Sequence, residues 1–143
     1  MKLGMDGKLY YLSAKLTATP TTADSWTEIT NAKDVTLNLS TGTADGTTRA
    51  NNGWKAQLAI LREGSIDFTM NWEEDDTAFQ AVRDAYLNGD MVAMAVMSED
   101  VATGEGLAAN FMVTNFTRNE PIEDVMTASV TVVPSEYIAW LST

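Results

Sequence analysis

A chain of 143 residues with 45 % hydrophobic content is long enough for one domain with a real core and too short for two of ordinary size. It contains no cysteine and no histidine, which excludes a disulfide framework, the usual thiolate and imidazole zinc ligands, and nucleophilic catalysis that relies on an imidazole base. With 20 acidic against 9 basic residues the net charge is −11, so the surface as a whole repels phosphate backbones instead of condensing on them.

The first eight residues mix Lys2, Asp6 and Lys8 with Gly4 and Gly7, which interrupts any apolar segment of the kind a secretion signal needs. No run approaches the roughly 20 apolar residues that span a bilayer, and no membrane partner is expected. Leu9 to Leu12 and Trp26 to Ile29 read as short strands, joined by a Pro- and Thr-rich connector from Thr17 to Asp24. Val35, Leu37 and Leu39 alternate with Asp34, Thr36, Asn38 and Ser40, the period of a strand with one buried and one polar face. Trp54, Ala56, Leu58 and Ile60 alternate with Lys55, Gln57 and Ala59, and the two segments read as partners in a hairpin. Between them, about residues 40–53, the Gly, Asn, Asp and Thr content reads as a long flexible hairpin loop.

Arg62-Glu63-Gly64 reads as a turn, followed by a strand from Ser65 to Trp72 with Ile66, Phe68, Met70 and Trp72 on one face. The period then changes: Phe79, Val82 and Tyr86 form a stripe at helical spacing, predicting one helix over about 75–88. Carboxylates from Glu73 to Asp76 are placed to cap its free amides, and Asn88-Gly89 to end it. Met91 to Met97 reads as a buried strand and Ser98 to Gly106 as a loop. Two more strands are expected at Leu107 to Arg118 and Ile122 to Val133, with a turn at Asn119-Glu120-Pro121. The apolar tail, with Tyr137, Ile138, Trp140 and Leu141, is expected to pack on the domain or on a neighbour. The expected fold is mainly β: a β-sandwich or partly open barrel of seven to eight strands with one flanking helix, forming a single domain over residues 1–143. Such sheets leave edges to be covered, and pairing with identical copies is one way to cover them.

Motifs of chemistry are weak throughout. Gly104-Glu105-Gly106 has the spacing of a dinucleotide-binding loop, but an acidic residue would sit among the phosphates and a strand follows instead of a helix. Glu73 to Asp76 offers oxygens to calcium without the interleaved spacing of an EF-hand loop, so capping is the better reading. Asn38-Leu39-Ser40 and Asn115-Phe116-Thr117 fit the glycosylation sequon inside expected strands, where chance explains them. The basic residues are scattered and make no nucleic-acid stripe. Trp26, Trp54, Trp72 and Trp140 offer stacking surfaces for a sugar, so a carbohydrate- or receptor-binding β-module is an alternative, though strand-face tryptophans are more often core or subunit contact. No catalytic, cofactor-binding or metal-binding residue is assigned, and neither enzyme activity nor a cofactor is expected.

The order of features resembles the major tail tube protein family of long-tailed bacteriophages. The resemblance runs through Asp34-Val35-Thr36-Leu37-Asn38-Leu39, the extended loop closing at Gly53-Trp54, Gly64-Ser65-Ile66-Asp67-Phe68, Asp75-Asp76-Thr77-Ala78-Phe79, Asn88-Gly89-Asp90 and Phe111-Met112-Val113-Thr114-Asn115-Phe116. It covers roughly Val35 to Ser135, and its specificity lies in order and spacing. It implies a virion structural protein of six copies per ring, with rings stacked into a tube through which DNA passes during ejection without specific binding. The tube would be assembled in the host cytoplasm, with a tape measure protein and tail tip or terminator proteins as further partners. The inner tube of type VI secretion or of a related contractile injection system shares the fold and is the nearest alternative. The resemblance assigns the loop residues Thr43, Asp45, Arg49, Asn51, Asn52 and Trp54 to contacts between subunits or rings. It makes Asp34, Thr36, Asn38, Gln57, Thr114, Glu123, Thr127 and Ser129 candidates for the lumen lining.

Overall fold

The computed structural model describes residues 1–142. It contains seven strands, β1 (Lys8–Tyr11), β2 (Thr27–Glu28), β3 (Ala32–Asp45), β4 (Gln57–Asn71), β5 (Met91–Met97), β6 (Gly106–Asn119) and β7 (Thr127–Leu141), and one helix, α1 (Thr77–Asn88). All seven strands belong to one antiparallel sheet in the order β2-β1-β5-β6-β7-β4-β3. The sheet is not closed, the partly open form of the expected fold. It curls because β4, β5, β6, β7 and the helix all send side chains into one core, including Ile66, Phe68, Phe79, Met94, Phe111 and Val132. Irregularities between Ala108 and Phe111 and between Val113 and Asn115 let β6 bend while staying paired with β7.

The helix packs through Ala78, Phe79, Val82 and Ala85, the stripe its spacing predicts. Phe79 is fully buried and meets Trp72 edge-on at 4.8 Å, with Phe116 6.1 Å away. Gly89, at φ 71°, ends the helix and donates its N–H back to Ala85 and Tyr86. The start differs from expectation: Asp76 stands at the N-cap, but its side chain caps no amide, and its buried Oδ2 has no hydrogen-bond partner.

The connector between β1 and β2 is held by one buried amide. Asn110 of β6 accepts from the Leu16 N–H at 2.7 Å and donates to the Leu16 carbonyl at 2.9 Å. Replacing Asn110 by Ala strands both backbone groups in a dry site and should cost at least about 2 kcal/mol. Urea unfolding followed by tryptophan fluorescence checks this, and a change within about 0.5 kcal/mol would mean that the connector is anchored elsewhere.

The largest departure from expectation is the β3–β4 hairpin. Arg62-Glu63-Gly64 is not a turn: β4 runs unbroken through it, and Leu37 lies opposite Ile66 while Leu58 lies opposite Ala44. Thr41 to Asp45, expected in the loop, continue β3 because they pair with Gln57 to Arg62 of β4; Thr41 and Thr43 favour a strand, whereas Gly42, Ala44 and Asp45 do not. The second correction is at the C-terminal end. β7 begins at Thr127 instead of Ile122 and absorbs the tail as far as Leu141, with Leu107 opposite Trp140.

Candidate assembly surfaces

The β4–β7 ladder ends at the Ile66–Val132 pair. Beyond it, Gly64 faces Pro134, which brings no N–H to a ladder, and β3 and β4 leave the sheet as a two-stranded arm. Residues 57–65 of β4 make that arm roughly 30 Å long. Its apolar side chains find no cover on their own chain: Leu58 is 63 % exposed, Trp54 79 % and Leu61 79 %, and Leu39 and Ile60 are exposed as well. Of the expected buried face on β3, only Leu37 packs against the core.

The arm tip is ordered by contacts within itself. Thr47 N–H donates to Asp45 Oδ1 at 2.9 Å, and this pairing with Thr47, hydroxyl first, holds the Asp45 carboxyl below the usual carboxylate range. Arg49 and Asn51 lie in a 3-10 turn that Asn51 and Thr48 close by a reciprocal capping box. Asn52 follows at φ 52° and Gly53 at φ 83°, which presents Trp54 to solvent. Thus Thr43 and Asp45 belong to the arm's strand, and Arg49, Asn51, Asn52 and Trp54 to its tip.

A second surface is the face of the sheet turned away from the core. Across β3, β4, β7 and β6 it presents Thr36, Asp67, Thr131 and Asn115 in one row. Lys33, Thr69, Ser129 and Thr117 form the next, and Asn71, Thr127 and Asn119 a third. Asn38 donates to Asp67 Oδ2 at 2.9 Å, Thr131 to Asp67 Oδ1 at 2.6 Å, and Asn119 to Ser129 Oγ at 3.0 Å. Four of the lumen candidates, Thr36, Asn38, Thr127 and Ser129, therefore share one hydroxyl- and amide-rich face. Thr114 sits at the β6 irregularity and donates to the Thr131 carbonyl. Asp34 occupies a bulge of β3 at φ 53°, Gln57 lies opposite Asp45 in the arm, and Glu123 lies in the loop between β6 and β7.

A family model described as phage tail tube protein matches residues 8–133. The chain belongs to the phage tail tube protein family. This tail tube protein has the fold of a chain in the tail of an empty gene transfer agent particle refined helically with C6 symmetry, with a TM-score of 0.75 at 17 % identity over 98 % of each chain. It is also similar to the SPP1 tail tube determined by solid-state NMR and cryo-EM, with a TM-score of 0.69 at 13 % identity over 100 % of this chain and 81 % of that one. A chain of the anti-feeding prophage baseplate gives 0.64 at 7 % identity over 95 % and 92 %. At these identities the likeness is one of fold. No curated protein matches the chain. The tail tube family membership bears out the resemblance carried by the sequence, and the role is that of a structural component of the virion's tail tube.

Sequence reasoning missed two features of this tail tube protein. The residue pattern predicts a strand from Ile122 onward, yet 120–126 is a loop that presents Ile122, Val125 and Met126 to solvent. The Asn110 clamp carries no local pattern at all; only its place amid an apolar run, between Ala109 and Phe111, marks it.

Proposed function

We propose that this chain, as one tail-tube-like domain over residues 1–143, assembles with identical copies into stacked rings of six that form a tube for DNA during ejection. It is a structural element that catalyses nothing and is built into the tail in the host cytoplasm, with tape measure, tip and terminator proteins as its other partners. The observation that carries this reading is the unpaired backbone. β3 is a 14-residue edge strand, and the arm is open along both edges, so the monomer offers long ladders that only another chain can complete. The ring symmetry is supported by the C6 refinement of the gene transfer agent tail.

The polar face of β3, β4, β7 and β6 is the surface best suited to the lumen. Its hydroxyls and amides are engaged with one another, and an overall charge of −11 gives a passing polyanion no dense array of cations to hold it. Electron microscopy of the concentrated protein tests the assembly, with rings or tubes of uniform width as the expected result. A protein that stays a dispersed monomer at every concentration would overturn it.

A further inference from the structure

The two ends of the sheet differ in charge. The arm, residues 38–65, carries Arg49, Lys55 and Arg62 against Asp45 and Glu63, a slight excess of bases in a chain where acids outnumber bases 20 to 9. None of the three forms an ion pair among the described residues. The antiparallel register places the opposite end: Asn71 of β4 and Asn119 of β6 both lie opposite Thr127 of β7. The segment 72–76 and the loop 120–126 therefore sit together, away from the arm tip, and Trp72 N–H donates to the Met126 carbonyl at 2.9 Å.

That end is acidic and partly apolar. Glu73 to Asp76 are four consecutive carboxylates, and Glu120, Glu123 and Asp124 stand beside them. Among the described residues, Glu120 alone of these acids has a cation, Arg118 at 2.8 Å. Among these acids, Ile122 and Val125 are exposed. A depression of about 400 Å³ opens there, lined by Asn31, Lys33, Asn71, Glu73 and Asp76 among others. Two of its acceptor atoms, Asn71 Oδ1 and Asp76 Oδ2, are buried with no donor, and Lys33 makes no ion pair within it. Buried acceptors without donors are costly, and an incoming ammonium or guanidinium group removes the cost.

We infer that the arm of one copy docks on the acidic end of the next copy along the strand direction. Arg49, Lys55 and Arg62 meet the carboxylates of 73–76 and 120–124, and Trp54 and Leu61 cover Ile122 and Val125. The two surfaces are opposite in net charge, and each exposes apolar side chains that the other can cover. The two surfaces lie at opposite ends of the sheet, so the contact is head-to-tail, and repeated along the strand direction it gives an open stack. This inference rests on the stacked-ring reading and names the surface that receives the arm.

Three variants test it: Arg49→Glu/Lys55→Glu/Arg62→Glu in the arm, Glu73→Lys/Glu120→Lys/Glu123→Lys at the acidic end, and the two sets combined. Assembly is followed by light scattering and electron microscopy, with circular dichroism to confirm the fold. Each single set should raise the concentration needed for tube formation more than about tenfold, because like charges then face each other. The combined variant, or an equimolar mixture of the two single sets, should restore tubes. Added salt should weaken wild-type assembly as exposed pairs are screened. Either single set polymerising like the wild type would refute the docking while leaving the ring reading intact, as would folded variants that neither the combination nor the mixture rescues. A wild-type protein that never polymerises would overturn the ring reading itself.

Discussion

Gly106→Ala is expected to yield little or no folded protein. Gly106 opens β6 directly opposite Met97, and a Cβ there would stand 1.7 Å from the Val96 carbonyl oxygen and 2.7 Å from its carbon. Both are backbone atoms of the partner strand, so no rotamer change relieves the clash. The β5–β6 ladder would have to separate at the point where Leu141 of β7 also joins. A loss above about 4 kcal/mol follows, a large part of what holds a domain of this size together. Soluble yield and far-ultraviolet circular dichroism measure it, with Gly53→Ala as the control. Gly53 has φ 83° but nothing within 4 Å of its Cβ position, so that change should cost only about 1 kcal/mol. Cooperative unfolding of Gly106→Ala at the wild-type midpoint would show that the two strands do not approach so closely.

Phe79→Ala should destabilise by about 3–5 kcal/mol, the usual cost of emptying a large aromatic site in a core. Phe79 is the side chain that joins the helix to the sheet: it is fully buried, lies edge-on to Trp72, and has the Arg83 guanidinium 5.8 Å from its ring. Trp72 is only partly buried, so loss of its neighbour should also change its emission. A fall in the urea midpoint worth under about 1 kcal/mol would mean that the helix is not seated through this residue.

The strands of the core were legible because each has one face in this chain's own interior. Ile66, Phe68 and Met70 alternate with Asp67, Thr69 and Asn71, and the structure buries the first set and leaves the second half-buried on the other face. The same alternation at Leu58 and Ile60 was legible as strand but misleading about burial, because alternation marks a strand and not whether this chain covers its apolar face. Gly64 misled in another way. It looks like turn punctuation, but it lies within a ladder, where a Cβ would come 3.1 Å from Leu39 Cδ2. At the other end, Ile122, Val125 and Met126 extended the apparent β7 backward because apolar residues in an exposed loop look like strand residues until the register is known. Of the surface residues, the polar rows follow from strand parity, whereas the acidic end is assembled from segments some 45 residues apart that only the register brings together.

An arm at one end of each subunit and carboxylate loops at the other make any stack a polar object. One terminus would show the arm tips with Trp54 and Leu61 exposed, and the opposite terminus the carboxylate-rich loops that hold Ile122 and Val125. A protein that nucleates such a stack and one that stops it must therefore recognise unlike chemistries, and neither can substitute for the other.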